Sequence, residues 1–459
     1  MLSNSLLEAD REHLVHPLSS FRGHEREGVR VMASAKGAWL TDREGHRLLD
    51  GFAGLWCVNA GYGHESIVEA AAEQMRRLPY ATGYFDLGSE PAIKLAEALA
   101  ERAPGDLDHV YFTLGGSDAV DSTIRFIRYY NHARGTPERD QFISLEQGFH
   151  GSSTAGAGLT ALKGFHTGFG VPFEWQHKIP SHYLYRNPVG SDPETVIATS
   201  VAALAAKVDE IGKDRVAAFY AEPIQGSGGV LVPPPGWVKA MADTCRELGI
   251  LFVADEVITG FGRTGPLFAC LEEGVVPDFM TVAKGLTSGY VPLGAVFMAD
   301  HVYQTIADGA GEAAIGHGYT YSGHPVSAAV GLEVLKLYEG GLLDNGRRAG
   351  KRLMAGLESL AEHPLVGDVR GRGMLAAIEL VTDKSAKTPL PAAAEAGKRI
   401  FDRAYKNGLI VRAFAQGVIG FAPPLCCSDE EIDEIVERTR RVLDETLADA
   451  DVRTAMKGV

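Results

Sequence analysis

Between about residues 65 and 330, short runs of β-branched and aromatic residues alternate with helical runs. A chain patterned this way folds as successive βα units around a largely parallel sheet. The strands read most clearly at His109–Phe112, Val216–Tyr220, Leu251–Ala254 and Phe279–Val282. Helices are expected between them. Glu90–Ala103 carries Ile93, Leu95, Ala96 and Leu99 at helical spacing, and Gly236–Leu248 precedes the third strand. Each strand runs into a polar or glycine-rich loop, and ligands of open α/β sheets bind at those C-terminal strand ends.

The tail has a different rhythm. Helical segments near 328–339 and 345–362 lead to a strand near Met374–Val381, another helix, a strand at Leu409–Phe414 and a final amphipathic helix. Ser428 and Glu431 have the spacing of a capping box at the start of that helix, with Ile432, Ile435 and Val436 on one face. A chain of 459 residues exceeds what one core normally serves. The first 60 residues are too short to fold alone, so they are expected to pack on the tail. The predicted organisation is a large domain over 61–330 and a smaller α+β domain built from 1–60 and 331–459.

The 44 basic and 59 acidic residues leave a formal charge of −15, which repels nucleic acid and anionic membrane surfaces. The first twenty residues have early acids and no long apolar run before a cleavage site, so no export signal is expected. The apolar stretch 408–427 is interrupted by Arg412, Gln416, Pro423 and Pro424 and does not read as a membrane span. A cytoplasmic protein is the expectation. Cys57, Cys245, Cys270, Cys426 and Cys427 form neither zinc spacing nor a redox pair and are assigned to packing, with no metal expected. Glycine, 54 of 459 residues or roughly 12% against ~7% in average usage, clusters beside the strand-like runs.

Three of those junctions carry chemistry. Gly115, Gly116 and Ser117 follow a strand and open the helical run Asp118–His132, where free N–H groups and the helix dipole favour an anion such as a monophosphate. The segment has neither a P-loop lysine nor the GxGxxG spacing of a dinucleotide site. Asp255 ends a strand, where its charge could hold a ring nitrogen protonated. Lys284 follows the next strand, and a lysine amine of lowered pKa can form a Schiff base with an aldehyde cofactor. Taken singly these are an ordinary helix cap, a turn residue and a solvated surface lysine. The ordered set is what points to a site.

The stretches HPLSSFRGHEREG, LLDGFAGLWCVNAGYGH, EPIQGSGG, ADEVITGFGRTG, AKGLTSGYVPLGAV and GYTYSGHPVSAAVG cover nearly the whole chain. Through them it resembles the class III aminotransferases that use pyridoxal 5′-phosphate (PLP), and among these the ω-amino acid or amine:pyruvate transaminases. The resemblance implies the aspartate-aminotransferase-like α/β fold (fold type I) and a homodimer with active sites at the interface. It implies Lys284 as the Schiff-base and proton-transfer residue, Asp255 as partner of the pyridine nitrogen, Val257 and Phe149 on the two ring faces, and Gly116 and Ser117 at the phosphate. Thr320 would reach the phosphate from the neighbouring subunit, and Glu222 would be a supporting acid. Phe21, Trp56, Tyr84, Phe85 and Phe149 would line an apolar substrate pocket, and Arg412 would bind the keto-acid carboxylate.

The chain departs from many relatives at three places. Phe149 replaces a tyrosine, Ile258 stands where ornithine-type members have glutamine, and Ser227 stands where they have glutamate. An ornithine or 4-aminobutyrate donor is therefore disfavoured. The expected activity is transfer of an amino group from an amine or ω-amino acid to pyruvate or a similar keto acid. The alternatives are another PLP chemistry (aminomutase, racemase or decarboxylase), a non-catalytic PLP-binding protein and, from a different class, a nucleotide-binding oxidoreductase.

Overall fold

The computed structural model describes residues 2–457. Its first strands, β1 (Met32–Lys36), β2 (Trp39–Asp42) and β3 (Arg47–Asp50), form an antiparallel meander. The central sheet follows: β4 (His109–Thr113), β5 (Gln141–Leu145), β6 (Gln176–Ile179), β7 (Val216–Ala221), β8 (Leu251–Asp255), β9 (Phe279–Val282) and β10 (Gly294–Met298). Their spatial order is β4-β10-β9-β8-β7-β5-β6. All residues of β5, β7, β8, β9 and β10 are buried. Helices covering both faces explain why these strands read as continuous apolar runs rather than alternating ones.

Pairs among β5 to β9 are parallel, whereas β10 runs antiparallel to both β9 and β4. The reversal has a simple cause. The connection 283–293 is shorter than the dozen or so residues that a parallel crossover needs, so the chain returns directly. Because β10 opposes both neighbours, β4 points the same way as β5 through β9.

The tail supplies β11 (Val366–Arg372), β12 (Leu375–Asp383), β13 (Thr388–Pro389), β14 (Leu409–Ile410), β15 (Arg412–Ala413) and β16 (Val418–Phe421). One sheet has the order β11-β12-β16-β15, with β13 on β12. The single strand expected at Leu409–Phe414 is divided at Val411. Its first half, β14, pairs parallel with β3, and its second half, β15, pairs antiparallel with β16. One extended run thus serves two sheets and ties the N-terminal meander to the tail. Helix ends also shift: the helix expected to reach Ala103 stops at Ala100, and the one expected over 345–362 spans Leu343–Glu358. Ser428 and Glu431 form the reciprocal capping box. Ile432 and Ile435 are buried in the main core, with Val436 packed against it.

Two arginines hold the segments together. Arg263 is fully buried, donating to Asn59 Oδ1 at 2.5 Å, the Pro423 carbonyl at 2.6 Å and the Met374 carbonyl at 3.2 Å. Arg370 on β11 donates to the Gly229 and Val230 carbonyls and to Asp368 at 2.6 Å and Glu379 at 2.8 Å. Glu379 also accepts from Arg186 at 2.6 Å and from the Tyr183 hydroxyl. Truncating Arg370 strands the buried Glu379 carboxylate beside fewer donors. Arg370→Ala is therefore expected to destabilise the chain by about 3–5 kcal/mol, as for other broken buried pairs. A lowered chemical-denaturation midpoint would show it.

Candidate active site

Strands β8 and β9 pair in parallel with Asp255 opposite Thr281, so Asp255 and Lys284 emerge at one edge of the sheet. Asp255 is buried. Its Oδ1 accepts the Val257 N–H at 3.2 Å and its Oδ2 lies 2.9 Å from His150 Nδ1. Lys284 opens a short 3-10 turn with a φ of +44°, a left-handed conformation that non-glycine residues seldom adopt outside constrained sites. Burial pushes its amine down from 10.5 to about 8, with the Asp255 and Glu222 charges pulling the other way. The Nζ atom is 5.3 Å from the centroid of the Trp56 ring.

Gly115 caps the 18-residue helix Gly116–Ala133 without a side-chain bond, leaving first-turn N–H groups to face the same edge. A Cβ on Gly116 would sit 2.9 Å from Val257 Cγ1, so only glycine allows this approach. Gly151, at φ +106°, lets its loop lie against Ser117, whose Oγ accepts the Ser152 N–H at 3.1 Å. That loop carries Phe149, and the Phe149 N–H donates to Glu222 Oε1 at 2.8 Å. Glu222 Oε2 accepts the Gly226 N–H at 2.9 Å. Burial first, and the Asp255 charge second, raise the Glu222 carboxyl to about 8.

Gly116, Ser117, Phe149, Glu222, Asp255, Val257 and Lys284 thus line one cavity, together with His150, Gly151 and Ile258. The lining combines the N-terminus of a helix, a buried carboxylate and an amine of lowered pKa. Apolar Val257 and Phe149 complete the lining. This donor set suits a flat, phosphorylated heteroaromatic aldehyde better than a nucleotide, for which no glycine-rich diphosphate loop is present.

The remaining expected residues lie elsewhere. Trp56 is buried and touches the site through Lys284. Phe21, Tyr84 and Phe85 are outside the cavity lining and are 65%, 40% and 86% exposed. Thr320 is also outside it and exposed, its carbonyl accepting the Tyr80 hydroxyl at 2.9 Å. Arg412, half-buried on β15, stacks 5.1 Å above the Phe414 ring, and its Nε has no hydrogen-bond partner among the described residues. Burial lowers its pKa. His150 was not singled out from the sequence. The available signal was its place beside Phe149, but its partner Asp255 is 105 residues away.

A depressed lysine has a measurable pH signature. In the chain without cofactor, Lys284 is charged in both folded and unfolded states below about pH 8. Between about pH 8 and 10.5 only the unfolded state keeps the proton, so this group's contribution to stability rises with pH across that window. Amine-directed labelling read by peptide mass spectrometry should give a midpoint near pH 8 at Lys284, well below that of exposed lysines.

The family model of aminotransferase class-III matches residues 22–443. The putrescine–pyruvate aminotransferase of Pseudomonas aeruginosa is 40% identical over 440 residues, covering 95% of each chain. An (S)-enantioselective ω-transaminase from Thermomicrobium roseum superposes with a TM-score of 0.93 at 41% identity, covering 97% of this chain and 99% of that one. The ω-transaminase of Pseudomonas jessenii, solved in complex with PMP, gives a TM-score of 0.94 at 37% identity over 96% of this chain and 98% of its own. These neighbours share the α/β fold of fold type I. The chain belongs to the class-III aminotransferases.

Proposed function

We propose that this aminotransferase binds PLP in the cavity between Lys284 and Gly116 and moves an amino group from an ω-amine without a carboxylate to pyruvate. The observation that carries this reading is the meeting of Asp255, Lys284 and the Gly116–Ser117 helix start in one cavity. PMP in the Pseudomonas jessenii complex and pyruvate in the name of the Pseudomonas aeruginosa relative support it.

When bound, PLP supplies an aldehyde for amine exchange and a ring that withdraws electrons from the substrate carbon. The protein's part lies in placement and proton handling. Lys284 is the residue that would hold the aldehyde, and its amine would serve as the base for the proton on the amine-bearing carbon of the donor. Asp255 would keep the ring nitrogen protonated, oriented by His150. Gly116 and Ser117 would donate to the phosphate, with Val257 and Phe149 on the ring faces. Glu222, with its raised pKa, would stay largely protonated near neutral pH and support the site from behind Phe149.

The donor preference rests on what the walls lack. Ile258 lines the cavity without a polar group, and Ser227 cannot pair with an arginine as a glutamate would. Trp56 adds an apolar ring. Arg412 has a buried Nε free of hydrogen bonds among the described residues, which fits a role in receiving the pyruvate carboxylate. Phe21, Tyr84, Phe85 and Thr320, exposed in one chain, are assigned to an interface between two copies, with Thr320 reaching the partner's phosphate site. The division into 61–330 and a domain of 1–60 with 331–459 is likewise a proposal, supported by the β3–β14 pairing. No helix among the described residues is long and apolar enough to cross a membrane. We assign the enzyme to the cytoplasm.

Visible absorption of the PLP-loaded protein tests the reading. The yellow band should bleach with an ω-amine such as putrescine, return with pyruvate as alanine forms in equal amount, and be absent in Lys284→Ala. A band that no amine changes would overturn the assignment. Asp255→Asn should still take up PLP but lose about ten- to a thousandfold in kcat, matching the 1–3 pKa units an adjacent charge contributes. Arg412→Ala should raise the pyruvate KM about ten- to a hundredfold and leave the amine KM nearly unchanged, the loss expected for hydrogen bonds to a charged group. An unaltered pyruvate KM would remove Arg412 from the acceptor site.

A further inference from the structure

The stretch HPLSSFRGHEREG contributes only Phe21 to the functional reading, yet two of its histidines meet an aspartate from the preceding helix. Asp10 lies on the helix Leu2–His13, His24 lies on the helix Phe21–Glu27, and His16 lies in the link between them. One ligand atom from each falls within 4.8 Å of the others. His16 Nε2 is 2.7 Å from Asp10 Oδ1, and His24 Nε2 is 3.2 Å from Asp10 Oδ2. The His16 and His24 ring centroids are 4.8 Å apart.

The contact between His24 and Asp10 is the unusual one. The His24 side chain is 9% exposed and that of Asp10 is 11% exposed. Despite their 3.2 Å separation, neither His24 Nε2 nor Asp10 Oδ2 has a hydrogen-bond partner among the described residues. Two buried polar atoms left without a partner are destabilising. Their spacing matches the edge of a tetrahedral site, where bonds of about 2.0–2.2 Å place neighbouring ligand atoms a little over 3 Å apart. A single cation between them would satisfy both atoms at once and draw in His16. It would also join the two helices, and so fix the segment that carries Phe21.

We propose that Asp10, His16 and His24 form a binding site for a divalent transition-metal ion of the zinc class, separate from the aminotransferase cavity. Two imidazoles and one carboxylate suit such an ion better than the all-oxygen ligands preferred by calcium or magnesium. Three protein ligands leave a coordination position for water. The ion's role is to clasp the N-terminal helices, and the transfer chemistry does not pass through it.

The test uses the full-length, tag-free, PLP-loaded enzyme, stripped with chelator and freed of excess cofactor, and titrates Zn²⁺ by calorimetry. One saturable equivalent per chain is expected. His24→Ala and Asp10→Asn should each weaken it by more than roughly a hundredfold, since each removes a direct ligand whereas loss of an outer-shell partner alone costs about ten- to a hundredfold. His46→Ala, which disables the separate Asp42, Glu44 and His46 cluster, should leave it intact. Failure to saturate at one equivalent, or retention of that equivalent in both His24→Ala and Asp10→Asn, would overturn the site. Should those variants not fold, Co²⁺ added to the unaltered enzyme decides the matter. A visible d–d band displaced by Zn²⁺ supports the cluster, and an unchanged spectrum refutes it.

Discussion

The parallel pairing of β8 with β9 is the constraint on which the site depends. Paired strands lie about 4.8 Å apart and here run the same way, so residues that follow their last positions stay neighbours. Had β9 run the other way, Lys284 would leave the sheet at the opposite edge, about a strand length or 17 Å from Asp255. The same direction is shared by β4, β5 and β7, which deliver Gly116 and Ser117, Phe149 and His150, and Glu222. The antiparallel β10 preserves this arrangement because it opposes both β4 and β9. Every cavity-lining residue therefore comes from the C-terminal side of a strand with one common direction.

Convergence at a buried edge then shapes the acid–base character of the cavity. Burial raises the Glu222 carboxyl to about 8 and lowers the Lys284 amine to about 8. The shifts are opposite in sign and share one cause, since low-dielectric surroundings disfavour both charged forms. A carboxyl and an amine that both titrate near neutrality lie beside Asp255, which is tied to His150. Small changes in local charge can move protons here. A surface lysine and a solvated glutamate, with their ordinary values, would be locked in their charged forms.

Much of this was legible because the sheet writes its edges locally. A buried strand is an apolar run of four to six residues, and its end is marked by the glycine, aspartate or lysine that follows. Asp255, Lys284 and the Gly115–Ser117 turn all carry that mark. Features made by distant contacts do not. The reversal of β10 depends on a connection length rather than on composition. The division of 409–413 reflects two partners, β3 and β16, that lie far apart in sequence. Arg263 reads as an ordinary basic residue, yet it is fully buried because Asn59, Met374 and Pro423 supply its acceptors. Lys178 is similar: three neutral oxygens of Ser144, Gly158 and Leu159 hold it, and burial lowers its amine to about 7. His150 belongs to this group, since nothing adjacent to it announces Asp255.

The exposed aromatics extend the argument to assembly. Within one chain Phe21 and Phe85 are largely exposed and Tyr84 partly so, and none of the three lines the cavity. Leu55 and Leu87 are also more than half exposed. Apolar side chains scattered singly need no explanation, whereas several bulky exposed apolar side chains on one chain mark a surface suited to a partner. A second copy of the chain, as proposed, would remove this surface from water. Substrate selection would then belong to the pair of chains, because proton transfer at Lys284 would use residues of one chain while the proposed apolar pocket would be assembled from two. Changes at Phe85 and changes at Asp255 should accordingly act on different terms, the first on which amine enters and the second on how fast its proton moves.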